Sequence, residues 1–545
     1  MDAILGYAGT IDTRRLAITV ALSTFVCAIA LIAVMRPSTS SSERLNGAEA
    51  LHHALQDREV VRYLAAHRYT QHRTLAIDQR LELVSFLDGR RVVLDAAVAP
   101  DGTVVKTIKY RAGYLRAGSP VPQTPVAVIA LSLVFALMAA RLPLLSYRNL
   151  DVLALASFAT VIVLLNERLF EWSVYAGFPP LVYLVGRCVA VAFAKPKKSR
   201  SRQSTPLFDV LTRRLEPDVK SRLLGGVCAT AAVVLVLISI PGGVVVDVGY
   251  ASMAGATRLL HGGLPYGHLP SDVLHGDTYP LLAYVLYIPA AVIAPVEDGF
   301  DNLDGALWVT ALAALVVAAA LYVAVTRVEH RRSAGMRIAV AWLVFLPVLV
   351  GTSSGSNDLV AAAFVAIALA MAAHSTRSTL LLTVAGWVKL VPLFCLPLWV
   401  ARLRGPAIAR AIAAIAVVTA FVLAWLLLLD GTAAVADMME GISFQGERGS
   451  PLSIWTVISV PAFQVAFQAA VLSLVALSAF LTWRDRALAG DLNRVAALAA
   501  AIVLGFQLAG NYWTPVYLVW AFPFLAIALL CDRRSETGEP AATAR

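Results

Sequence analysis

Five side chains able to do chemistry crowd one polar stretch, residues 242–280: Asp247, Arg258, His275, Asp277 and Tyr279. Polar groups recur at Asn357-Asp358, along Gln445-Gly446-Glu447-Arg448, and at Asn511-Tyr512-Trp513 with Tyr517 and Trp520 behind it. Lys389 stands alone inside an apolar run, where an ionisable group is a functional candidate by default. These types complement one another. A carboxylate accepts a proton, cations hold a phosphate, and aromatic rings stack on sugar faces. Gathered on one side of a fold, they suit a sugar-phosphate substrate.

Each residue also has a plainer reading. Asp247 fits an N-cap of the helix that starts near Gly249, and Asn357-Asp358 fits the start of a span. Arg448 fits a solvated position, Lys389 a side chain reaching for headgroups, and Trp513 and Trp520 an interfacial belt. Convergence of four clusters on one face is what favours chemistry.

The elements that must position them are apolar. The chain of 545 residues is 59% hydrophobic and 15% charged, against about 45–50% and about 25% for soluble domains. Many runs approach the roughly 20 apolar residues that cross a bilayer. The expected fold is an all-α polytopic membrane protein of about 13 transmembrane helices, with a small extracytoplasmic α+β insert. The net charge of +10 concentrates in KPKKSRSR (195–202), RVEHRR (327–332), ARLRG (401–405) and CDRRS (531–535). The positive-inside rule accounts for these tracts, so the lipid bilayer is an expected partner and nucleic acid is not. The five cysteines show no paired spacing, which implies neither a disulfide framework nor a metal site.

In chain order, residues 1–35 form an N-terminal transmembrane anchor, too long for the apolar core of a cleavable signal. The preceding Arg14 and Arg15 place the N-terminus in the cytoplasm. Residues 36–122 form the extracytoplasmic α+β module, helical over its first part and then strands joined by Asp-Gly turns. It is loosely similar to PepSY-type domains. Its His52, His53, His67 and His72 lack a ligand spacing and read as surface histidines.

A three-helix transmembrane module, 123–195, and a cytoplasmic basic linker, 196–222, precede the membrane domain 223–531, which carries all the clusters. Residues 532–545 form a disordered cytoplasmic tail. Within the membrane domain, 281–296 is expected along the interface and 378–400 as a bent hairpin with Lys389 near its tip. The span 407–429 is expected to lead into an outer loop, 430–460. This topology puts the four clusters on the extracytoplasmic face.

The order of these segments resembles a known family. Asp247 and Tyr250, the segment ATRLLHGGLPY (256–266) and Tyr279-Pro280-Leu281 look like the opening of the polyprenol-phosphate-mannose-dependent α-mannosyltransferases, actinobacterial GT-C glycosyltransferases. AGWVKLVP (385–392), FQGERGSPLSIW (444–455) and NYWTPVYLVWAFP (511–523) are similar to its later motifs. The resemblance covers 223–531. It implies a GT-C fold in the cell's plasma membrane, a polyprenyl-phosphate-linked sugar donor and a glycolipid or polysaccharide acceptor. Asp247 takes the place of the catalytic carboxylate, acting as general base with inversion at the anomeric carbon. Lys389, Arg448, His275, Tyr279 and Asp277 are the implied donor phosphate and sugar ligands. Arg258, Asn357, Asp358, Gln445, Asn511, Tyr512 and Trp513 are further substrate-binding candidates. The acidic groups are scattered with no D-x-D pair, so no essential metal and no cofactor are expected.

Two departures stand out. YPL replaces the commoner YPP, and the four N-terminal spans with the 36–122 insert lie outside the family core, their role unassigned. Other readings remain: a different sugar, such as arabinofuranose or a glucosyl unit; a lipid or glycolipid flippase; and a membrane-anchored sensor built on 36–122. A flippase calls for inverted repeats and polar midplane helices, a sensor for a cytoplasmic output domain; neither is evident in the sequence.

Overall fold

The computed structural model describes residues 45–76, 81–88, 91–109, 118–166, 169–194, 205–270, 273, 276–296, 303–447, 452–458 and 460–531. The expected anchor 1–35, the linker up to 204, the tail 532–545, His275 and Arg448 lie outside the described residues.

Local capping and alternation build a small N-terminal unit. Asn46 and Glu49 form a capping box at the start of helix Gly47–Ala54, and Asp57 caps Arg58–Ala66 through the amides of Glu59 and Val60. Four strands follow, Gln71–Ala76, Glu82–Asp88, Arg91–Val98 and Val104–Lys109, paired antiparallel in sequence order. Ala50, Ala54, Val60 and Leu64 of the helices close over Val84, Phe86, Leu94, Ala96 and Val98 of the sheet. His52 bonds Gln56, and His67 stacks on Tyr63 at 4.0 Å.

Seven of the described helices are long and apolar enough to cross a membrane. An eighth is the pair Arg332–Val344 and Leu346–Ser353, bent by 55° where Pro347 opens the second helix. The expected count of about thirteen includes a span in 1–35, which lies outside the described residues. Pro125–Ala139, Asp358–Ala370, Val391–Ala401 and Pro515–Leu529 are apolar but shorter. The stretch 281–296 breaks into Leu282–Val285 and Ile288–Ile293, each far below the length of a span.

Small residues let the core helices approach one another. A Cβ on Gly335 would fall 2.5 Å from the Tyr322 carbonyl, which keeps Arg332–Val344 tight against Asp304–Glu329.

Arginines finish many helices at one end of the bundle. Arg327 donates to the Ala370 carbonyl, Arg148 to those of Ala139 and Leu530, Arg404 to those of Ala401 and Trp483, and Arg494 to that of Ala192. These carbonyls lack partners within their own helices, and a cation there also meets the negative end of the helix dipole. Arg337 and Lys220 both pair with Asp209, fastening the short helix Leu207–Leu211 of the expected linker to the bundle.

The opposite end carries two unusual elements. The first is a hairpin. Helix Ser375–Val388 stops at Lys389, which is extended (φ −142°, ψ 130°), and the chain folds back through Val391–Cys395 and Leu396–Ala401. Trp399 Nε1 donates to Ser378 Oγ at 2.9 Å across the open end. Near the tip, a Cβ on Gly386 would meet Leu393 Cδ2 at 2.2 Å. The second is a kink at Asp430 and Gly431 inside Pro406–Glu447, where Gly431 takes φ +58°. The outer loop expected to begin at 430 is therefore helical as far as Glu447. Ala434, Met438 and Ile442, one helical turn apart, are buried, and that apolar stripe is why the segment folds onto the bundle.

The hairpin makes a test. Gly386→Ala forces the arms apart by overpacking, at a cost of about 1–3 kcal/mol, so the thermal midpoint in detergent is expected to fall by several degrees. An unchanged midpoint would mean that the arms do not depend on their close approach.

Candidate active site

The chain folds the hairpin tip onto the start of another helix. Asp358 is the first residue of Asp358–Ala370, and Lys389 Nζ lies 3.2 Å from its Oδ1. The indole Nε1 of Trp520 donates to the same oxygen at 3.1 Å, and Ser356 Oγ donates to Oδ2 at 2.5 Å. On its other side the Lys389 ammonium sits 4.2 Å from the centre of the Tyr279 ring, a cation–π contact. Asp358 is 2% exposed and Lys389 7%. Two charges this deep are tolerated because each neutralises the other and the remaining lone pairs are hydrogen-bonded.

Tyr279 is held by buried tyrosines. Tyr266 donates to the Tyr279 carbonyl at 3.0 Å and Tyr284 to the Gly276 carbonyl at 2.6 Å. From outside, the kinked helix presses on the same turn: a Cβ on Gly441 would fall 2.3 Å from the Asp277 carbonyl oxygen. Asp277 itself is half-buried. Behind Trp520, Tyr517 stacks at 4.1 Å, and Tyr512 follows at 6.1 Å from Tyr517.

Asp247 opens helix Asp247–Leu260, with Val246 at the N-cap. Its Oδ1 accepts the Val248 amide at 3.0 Å, a favourable place for a carboxylate beside the positive end of the helix dipole. It is half-buried and forms no ion pair among the described residues. Two contacts tie its helix to the turn before Asp358. Asn357 Nδ2 donates to Ser252 Oγ at 3.1 Å, and Gly249 lies so close to Gly355 that a Cβ would meet its carbonyl oxygen at 2.7 Å.

Asp247, Tyr279, Asn357, Asp358, Lys389 and Tyr512 thus share one end of the bundle. Other candidates have local work. Arg258 Nε donates to the Leu264 carbonyl at 3.1 Å, closing the Gly262–Gly263 turn. Asn511 accepts from Gln464. Trp513 is 4% exposed, bonds Gln507 and packs on Phe158. Gln445 lies in the last turn of the kinked helix. Ser252 and Ser356 were not among the sequence candidates. The signal for Ser356 was the run GTSSGSND (351–358), too polar for the apolar segments around it; for Ser252 there was none.

The ion pair can be tested apart from activity. Lys389→Met leaves a buried carboxylate uncompensated and is expected to destabilise the protein by about 3–5 kcal/mol. The double variant Lys389→Met/Asp358→Asn is expected to recover much of that loss in denaturation in detergent. Losses that simply add would mean that the two side chains do not depend on each other.

Residues 278–510 match the model of glycosyltransferase family 87. The matched region takes in Tyr279, Asn357, Asp358 and Lys389, while Asp247 precedes it and Asn511 follows it. No curated protein and no solved structure matches the chain. Together with the run of apolar helices, the match indicates a multi-pass membrane glycosyltransferase.

Proposed function

We propose that the chain transfers a hexose, mannose by the sequence resemblance, from a polyprenyl-phosphate-sugar donor to a glycolipid or polysaccharide acceptor. The reaction takes place at the extracytoplasmic face of the plasma membrane, with inversion. The observation that carries this reading is the division between two carboxylates. Asp358 is occupied by Lys389, Trp520 and Ser356, whereas among the described residues Asp247 binds only the Val248 amide. A general base needs a free lone pair within reach of solvent or substrate, and Asp247 has one.

In the proposed reaction Asp247 takes the proton from the acceptor hydroxyl as its oxygen attacks the anomeric carbon. The new C–O bond forms opposite the breaking bond to phosphate, and the leaving group departs as a lipid phosphomonoester. Charge gathers on that phosphate, so a nearby cation favours the transition state over the ground state. Lys389 is the described cation at this end, and Arg448 and His275 remain candidates from the sequence. Tyr512 and Tyr517 offer ring surface to the sugar. Gathering of the polar groups at one end, rather than along a path through the bundle, supports an enzyme over a flippase.

The test is transfer of radiolabelled sugar from polyprenyl-phosphate donors in membranes containing the full chain, comparing mannose, arabinofuranose and glucose. Label is expected in a glycolipid or polysaccharide with the mannosyl donor. Asp247→Asn, which keeps size and removes the base, is expected to lower the rate roughly 10²–10⁴-fold. An equal rate would move the base to another carboxylate, and transfer from a different donor would reassign the sugar. Excess EDTA is expected to leave the rate unchanged; a loss restored by a divalent cation would overturn the metal-free mechanism.

A further inference from the structure

Residues 118–123, which follow the N-terminal unit in the sequence, lie against the candidate active site. Three stretches meet there in a short backbone ladder. Val244 N donates to the Ser353 carbonyl at 3.0 Å and Val246 N to the Ser354 carbonyl at 3.0 Å. These bonds pin the approach to Asp247 against the turn that leads to Asp358. The third stretch comes from the N-terminal part of the chain. Gly118 N donates to the Val244 carbonyl at 3.1 Å, and Ser119 N donates to Ser353 Oγ at 2.9 Å. The Ser353 hydroxyl in turn donates to the Leu349 carbonyl at 2.7 Å.

The fit is close. Gly118 takes φ +78°, and a Cβ there would lie 2.5 Å from Ser353 Oγ and 3.0 Å from the Val350 carbonyl oxygen. Ser119 and Ser353 are both fully buried. Beyond Ser119, Gln123 Nε2 donates to its carbonyl at 2.7 Å, and Gln123 Oε1 accepts from Asn166 Nδ2 at 3.1 Å. The strap is thus anchored to the transmembrane helices of the N-terminal module as well as to the core.

We propose that residues 118–123 are a positioning strap, which fixes the Val244–Asp247 segment against Ser353–Asp358 and so sets the spacing of the two carboxylates. The N-terminal part of the chain is then a component of the site's frame and not a spacer. Gly118, Ser119 and Ser353 are positioning residues, acting through the backbone beside Asp247 and Asp358. The inference about rate rests on the proposed glycosyl transfer; the inference about the strap does not.

The experiment uses the full chain with Ser353→Ala, which removes the acceptor of the Ser119 amide at nearly constant volume, and Gly118→Ala, which drives a Cβ into that contact. Hydrogen exchange followed by mass spectrometry is expected to show faster exchange over 118–123 and 244–250 in Ser353→Ala, with the basic end of the bundle unchanged. In the transfer assay both variants are expected to lower kcat roughly ten- to a hundredfold, the effect of a small misplacement of reacting groups, with KM for the lipid-phosphate sugar within about twofold. Gly102→Ala strains a turn of the N-terminal sheet, where Gly102 takes φ +85°, and is expected to leave kcat unchanged. If Gly118→Ala fails to fold, Ser353→Ala carries the test alone. Unchanged exchange, or an active wild type whose Ser353→Ala keeps its kcat, overturns the strap. A wild type inactive with every donor overturns the proposed function instead, and exchange still decides the strap.

Discussion

The ion pair between Asp358 and Lys389 sets the terms for the rest of the fold. A carboxylate and an ammonium removed from water cost several kcal/mol each unless the geometry is close and every remaining lone pair is used. Three separate parts of the chain are needed to meet that condition. The hairpin delivers Lys389, Ser356 and Asp358 lie at one helix start, and Trp520 comes from the helix after the last polar turn. Tyr279 adds its ring from a fourth. No subset of these elements could leave the pair satisfied, so the pair and the arrangement of the bundle around it stabilise each other.

The two ends of the bundle deal with helix termini differently. At the basic end, arginine forks take up the carbonyls that finish helices, as Arg404 does for Ala401 and Trp483. Arg327 and Arg404, which belong to the positive-inside tracts of the sequence, therefore have structural partners beyond membrane potential or lipid. At the other end, helix starts carry acidic side chains, Asp247 and Asp358, where the helix dipole favours negative charge. That end is built from broken elements: a bent pair, a hairpin and a kinked helix. Irregular backbone in a membrane protein is tolerated where protein buries it or a cavity adjoins it, and here it coincides with the polar groups.

Much of the site was legible because polar residues stand out against apolar sequence. Lys389 inside its run and Asp247 at a span edge needed no structure to be noticed, and the Lys389-Leu390-Val391-Pro392 segment already spoke for a bend. Pairing was not legible. Nothing in the sequence joins Lys389 to Asp358 or Trp520 to either, because these contacts depend on how the helices are arranged in space. The helix beyond Gly431 was missed for a different reason. Its apolar positions, Ala434, Met438 and Ile442, are spaced for a helix, but Gly441 and Gly446 with Asp437, Glu440 and Glu447 around them read as loop composition, and tertiary burial outweighed local propensity. The serines of the ladder escaped because a hydroxyl in an apolar helix is ordinarily satisfied by its own backbone; among the described residues the neighbouring strap gives the Ser353 hydroxyl its outside partner.

Two carboxylates at one end of a bundle need not share one role, and their surroundings divide the work in the proposed reaction. Asp358 is committed to holding a cation at a fixed point, which keeps Lys389 extended and oriented before any substrate arrives. Orientation established during folding does not have to be supplied again at each turnover. Asp247, by contrast, is held by its backbone and keeps lone pairs free of the described residues. A departing phosphate that draws near Lys389 competes with Asp358 for the same ammonium, and it competes best when its charge is greatest, as the glycosidic bond breaks. The cation then favours the transition state more than the bound donor, which is the condition for catalysis and not merely for binding. This division depends on the spacing of the two helix starts, and the chain secures that spacing with backbone hydrogen bonds, which are shorter in reach and less adaptable than side chains.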